Sequence, residues 1–177
     1  KRAQKSTSGT VEIGRELPDG KTSSIKLALT SHTLTPNKAK LSGATKLWLE
    51  NPIESVFIPV KDMMANAPSF RSLYSIRDIH FEEVYADIID RAFLPALKGP
   101  IDHQRGKLLK ILQDAMEGKV VTKGEEFFLR NKQGNLEFTL LAEGFRKLGL
   151  LWLLIQNGTL LSGSTLFWDE PETNLNP

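Results

Sequence analysis

The stretch that most constrains this chain is its last dozen residues, where a short apolar run, Leu166-Phe167-Trp168, stops on two adjacent carboxylates, Asp169 and Glu170, and then turns at Pro171. A run of this kind predicts a buried central strand that delivers its acids to the rim of a sheet. Ligands of open α/β sheets bind in the crevice outside the carboxyl ends of the strands, so Asp169 and Glu170 are expected where chemistry is done. Upstream, Leu148-Gly149-Leu150-Leu151-Trp152-Leu153-Leu154-Ile155 is apolar all round and must be buried, giving a helix from Ala142 to Ile155 that Asn157-Gly158 ends. Helix, short loop and acid-terminated strand together predict an α/β domain.

Both segments carry a resemblance. Leu166-Phe167-Trp168-Asp169-Glu170-Pro171-Glu172-Thr173-Asn174-Leu175-Asn176-Pro177 resembles the Walker B strand and following D-loop of ABC-type P-loop ATPases, in the branch that includes RecF, SMC and OLD-family proteins. Leu141-Ala142-Glu143-Gly144-Phe145-Arg146-Lys147-Leu148 resembles the signature that opens a helix in the same family. The order and spacing of the two are more specific than either alone.

The resemblance implies a protein that binds and hydrolyses ATP with Mg²⁺ at a head-to-tail homodimer interface. Asp169 would hold the metal and Glu170 would polarise the attacking water. Gly144 and its helix start would close on the partner's nucleotide, and Asn174 in the D-loop would link the two sites. The family's signature serine is matched by Ala142, so the implied phosphate contact runs through backbone N–H groups, which favour an anion at a helix start. Trp168 is large for its position, and Asn176 stands where relatives carry His or Asp. DNA, and a nuclease partner or fused domain, are further implied partners, in DNA repair or anti-phage defence. A scaffold of ATPase-derived fold without activity is the alternative, and a bare strand cap with no nucleotide is a third reading.

No strand–GxxxxGK[ST]–helix occurs in the sequence. Gly14 and Gly20-Lys21-Thr22 imitate that phosphate loop, but five residues separate the glycines where four are needed, and a strand follows instead of a helix. By the resemblance, the phosphate loop is expected upstream of Lys1. The strand and switch histidine that follow a D-loop are expected beyond Pro177. The segment by itself is expected to be inactive.

The rest divides into three. Residues 1–60 read as an antiparallel side sheet. A polar, basic arm runs from Lys1 to Thr10, and a hairpin follows with alternation on either side of Pro18-Asp19-Gly20. Further strands are predicted over Thr45–Glu50 and Val56–Val60. Residues 61–118 read as a helical lobe. One helix, Asp78–Phe93, carries Phe81, Val84, Tyr85, Ile88, Ile89 and Phe93 inward, and its four acids are read as a solvated face. Another, Ile101–Met116, carries Leu108, Ile111, Leu112 and Met116 inward, with Gly118 as its stop. Residues 119–177 form the back half of the ATPase core, starting with strands at Glu125–Arg130 and Asn135–Leu140 around Gly134. The fold class is therefore α/β, an incomplete P-loop NTPase-like core sheet with a side sheet and a helical lobe.

Composition narrows the setting. With no Cys there is neither a disulfide framework nor a thiolate zinc site, and a reducing cytoplasm is the default. His80 and His103 have no second His or Cys nearby to make a metal centre. The longest apolar run is far below the ~20 residues needed to span a bilayer. Net charge is +2, but residues 1–50 carry nine Lys or Arg against four acids, while the remainder carry fourteen against seventeen. That basic first part permits DNA binding without requiring it.

Overall fold

The computed structural model describes residues 7–17, 19–31, 38–76 and 81–173. The chain is mixed α/β and divides into two units, residues 1–52 and 53–177.

The first unit is a three-stranded antiparallel sheet, β1 (Ser8–Glu16), β2 (Thr22–Thr30) and β3 (Lys40–Gly43), followed by a short helix α1 (Thr45–Glu50). The predicted hairpin is present, in register from Ser8 opposite Thr30 to Glu16 opposite Thr22, so β1 takes residues 8–10 of what reads as an arm. Gly20 has φ +79° and its N–H donates to the Leu17 carbonyl, while Lys21 pairs with Asp19 at 3.0 Å. This hydrogen-bonded lysine holds the Asp19 carboxyl below its ordinary value. Lys21 is therefore a turn residue of a hairpin, as the spacing argument requires.

Thr45–Glu50 is a helix, which corrects the predicted strand. Over six residues the alternation of Leu47 and Leu49 fits either structure, and tertiary partners decide. The Trp48 indole donates to Ser23 Oγ at 3.0 Å. The Arg15 guanidinium lies 4.6 Å from the Trp48 ring centre and donates to the carbonyls of Leu47 and Asn51, satisfying acceptors at the helix end.

The second unit contains β4 (Ser55–Ile58), α2 (Ala67–Ile76), α3 (Glu83–Ala92), α4 (His103–Met116), β5 (Lys119–Lys123), β6 (Glu126–Asn131), β7 (Gly134–Glu137), α5 (Glu143–Gln156) and β8 (Thr165–Trp168). β5, β6 and β7 form an antiparallel meander. Residues Phe138–Leu140, expected to prolong β7, form a 3₁₀ turn that drives Phe138 inward against Phe127, with ring centres 5.8 Å apart.

β4 was expected in the antiparallel side sheet. It pairs in parallel with β8 instead, Val56 opposite Leu166 and Ile58 opposite Trp168. β8 is not the buried central strand its apolar run predicts. Among the described residues β4 is its one partner, and Leu166 and Phe167 are exposed. Val56 and Ile58 point into the core, while Phe57 and its neighbour Phe167 occupy the other, open face. An apolar run signals that both faces of a strand want cover, and the described residues supply cover for one.

Helix α5 is the centre of this unit. Gly149, Leu150 and Trp152–Ile155 are buried, and α4 and the meander pack around them. Its carboxyl end is satisfied by a buried cation, since Arg105 on α4 donates from Nε to the Ile155 carbonyl at 3.0 Å and from its guanidinium to the Gln156 carbonyl. That inward arginine rotates α4 from its expected setting. The buried line is Arg105, Leu109, Leu112 and Met116, and Leu108 and Ile111 face outward. On α3, Ile88 and Ile89 are buried as expected, while Phe81, ahead of the helix, is exposed and meets Phe70 edge-on at 5.3 Å. Arg91 pairs with Asp87 and with Glu54 just before β4. The hydrogen bond it donates to the Glu54 carboxylate raises its pKa above the ordinary arginine value.

A Cβ at Gly149 would lie 2.7 Å from the Phe138 ring and 3.3 Å from a Val120 methyl. Gly149→Ala is expected to cost about 1–3 kcal/mol through overpacking, despite the better helix propensity of alanine. Urea denaturation checks this, and a stabilised variant would mean that the ring yields freely.

Candidate functional site

The parallel ladder carries the acids. Beyond Trp168 the Asp169 N–H still donates to the Ile58 carbonyl at 3.0 Å, so Asp169 is held at the carboxyl end of β8. Glu170 has left the ladder, with φ +49°, a left-handed backbone that costs a non-glycine residue about 1–3 kcal/mol. A tight turn follows. The Thr173 N–H donates to the Glu170 carbonyl at 3.1 Å, and the Thr173 hydroxyl donates to Glu170 Oε2 at 3.1 Å. Both acids are exposed.

The start of α5 is the second component. Ala142 occupies the N-cap in extended conformation and has no side-chain oxygen to accept from the first turn. Glu143 opens the helix and Gly144 is buried within its first turn.

Two cations tie this helix start to its surroundings. Lys147, with only 2% of its side chain exposed, donates from Nζ to the Thr173 carbonyl at 3.0 Å and lies 3.7 Å from Glu143 Oε1. Arg146 pairs through Nε with Asp62 Oδ2 and also donates to the Leu141 carbonyl. Asp62, on the segment leaving β4, has 1% of its side chain exposed, and its Oδ1 accepts from the Met64 N–H at 2.9 Å. Lys61, Asp62, Asn66, Glu143 and Thr173, with Phe70, line an open cleft of about 800 Å³.

The expected site residues thus fall into two groups. Asp169 and Glu170 lie at the strand end, and Ala142 and Gly144 at the tip of α5. The Lys147–Thr173 contact joins the helix to the turn after the acids. Asn174 lies outside the described residues, as does His80. Asp62, Arg146, Lys147 and Thr173 were missed. The available signal was Lys147 itself, a charge placed one turn after Glu143 and leading into an apolar helix.

Adjacent carboxylates are hard oxygen donors, the kind Mg²⁺ accepts together with phosphate oxygens and water. No group of three or more His, Asp or Glu side chains suited to a metal occurs among the described residues. No helix among the described residues is long and apolar enough to cross a membrane. The buried Trp168 indole N–H has no hydrogen-bond partner among the described residues.

Residues 14–177 match a family model described as "AAA domain, putative AbiEii toxin, Type IV TA system". No curated protein and no solved structure matches the chain.

Proposed function

The chain belongs to this AAA-domain family, P-loop proteins that bind and hydrolyse ATP, and from that premise we propose that its acid pair serves ATP hydrolysis at a dimer interface. Within the family we assign it to the RecF, SMC and OLD-like branch, on the strength of Asp169-Glu170-Pro171-Glu172 and the signature-like Leu141–Gly144. ATP is the substrate and Mg²⁺ the companion ion, which supplies neutralisation of phosphate charge when bound.

Each residue has a distinct task. The Asp169 carboxylate would hold the cation. Glu170 accepts the proton of the attacking water, for which a carboxylate within hydrogen-bond reach suffices. The first turn of α5, with Gly144 leaving the backbone bare, presents unpaired N–H groups to the nucleotide held by a second copy. Ala142 contributes no hydroxyl, so this contact is a backbone contact only. Asn174 connects the two composite sites.

One observation carries the reading. The Lys147 Nζ to Thr173 carbonyl bond of 3.0 Å ties the signature-like helix to the turn that follows the acids, which supports a coupling between the helix start that faces the second copy's nucleotide and the acids that face the chain's own. The alternative, an inactive scaffold, is favoured by Ala142 and by the lack of GxxxxGK[ST] in the sequence. On the first reading the phosphate loop is supplied from outside these residues, and the segment alone does not turn over ATP.

Sedimentation of the complete protein with and without ATP, and with and without duplex DNA, tests the proposal. ATP is expected to convert monomer to dimer, and DNA to raise turnover if it is the target. A protein that stays monomeric under all four conditions, and leaves ATP intact in the two that contain it, is the scaffold.

A further inference from the structure

Lys147 is an ammonium buried within the second unit, a placement that costs several kcal/mol unless its partners repay it. Its companion on the same helix, Glu143, is partly solvated and sits at 3.7 Å. The closer acceptor is the carbonyl of Thr173, 26 residues further along the chain. Thr173 in turn grips Glu170 twice, by its N–H to the main-chain carbonyl and by its hydroxyl to Oε2.

We propose that Lys147 and Thr173 are positioning residues for Glu170, a relay that carries the placement of the α5 tip to the carboxylate. The inference rests on the reading of Glu170 as general base. An exposed carboxylate rotates freely unless something holds it, and a base is effective only when one oxygen stays within reach of the water. The Thr173 hydroxyl occupies Oε2 and leaves Oε1 for that water. The Lys147 ammonium prevents the Thr173 turn from drifting away from α5. A nucleotide that moves the helix start therefore changes the aim of the base on the same subunit, although neither Glu143 nor Lys147 touches the reacting atoms.

Thr173→Val, Thr173→Ser and Lys147→Met test this in the complete protein, with kcat and KM for ATP, affinity for a non-hydrolysable ATP analogue and thermal midpoint as readouts. Loss of one hydrogen bond to a charged group is expected to lower kcat about tenfold in Thr173→Val, with KM, analogue affinity and midpoint unchanged. Thr173→Ser restores the hydroxyl and the rate. Lys147→Met is expected to lose a similar factor in kcat while its midpoint holds or rises, since an apolar side chain is tolerated where a buried ammonium sat. A structural role would instead lower the midpoint and leave kcat of the folded fraction intact, which overturns the relay. So does wild-type kcat in Thr173→Val, whether or not Lys147→Met folds. The two readings separate cleanly. Full turnover in Glu170→Gln defeats the assignment of the base, whereas a dead Glu170→Gln beside a fully active Thr173→Val defeats the relay alone.

Discussion

Glu170→Gln is expected to reduce ATP turnover of the complete protein by ~10²–10⁴-fold, the usual contribution of a general base, while leaving nucleotide binding intact. The amide has the shape of the carboxylate, and its carbonyl oxygen can still accept from the Thr173 hydroxyl, so the turn survives. What it cannot do is take a proton. ATP should therefore remain bound and the dimer persist after ATP is added, visible as a long-lived faster-sedimenting species. A companion substitution separates chemistry from folding. Glu170 is held at φ +49°, a backbone that glycine adopts at no steric cost, so Glu170→Gly should be inactive yet more stable by about 1 kcal/mol. Retained turnover in Glu170→Gln would remove this residue from the mechanism.

The largest stability effect is expected at the ion pair beneath the α5 tip. Asp62 has 1% of its side chain exposed and Arg146 17%, so the carboxylate depends on the guanidinium for nearly all its compensation. Arg146→Ala leaves that carboxylate with the Met64 N–H, and removing one partner of a buried pair costs about 3–5 kcal/mol. The paired replacement Asp62→Leu with Arg146→Met should recover most of the loss, because two apolar side chains carry no desolvation penalty. Urea denaturation of the two single variants and the double variant yields the coupling directly. A loss under about 1 kcal/mol for Arg146→Ala, the range of solvated ion pairs, would mean that Asp62 finds water when the arginine leaves.

The parts of the fold legible in the sequence are those fixed by local chemistry. Asp19 and Gly20 set the first hairpin, Gly134 the second, and the uninterrupted apolar half of α5 announced its burial. Two of the mistakes, at α1 and α4, share one cause, a distant side chain outvoting a local pattern. Leu47 and Leu49 alternate as a strand would, but Arg15 and Ser23 reach α1 from β1 and β2. Leu108 and Ile111 looked inward until Arg105 claimed that direction for the end of α5. At the candidate site the acids and the glycine stood out by type and spacing. Asp62, Arg146 and Lys147 did not, because a charged residue in sequence reads as solvated and nothing local announces a partner 26 or 84 residues away.

The edge of β8 that no described residue pairs has a practical consequence. Two aromatic rings, Phe57 and Phe167, stand shoulder to shoulder beside a row of main-chain groups that β4 does not satisfy. Such a margin recruits any extended peptide that drifts past, including its own twin, and grows into fibres by the same ladder geometry that builds native sheets. Anyone preparing residues 53–177 in isolation should guard that seam, and a lysine in place of Phe167 is the smallest change that would do so.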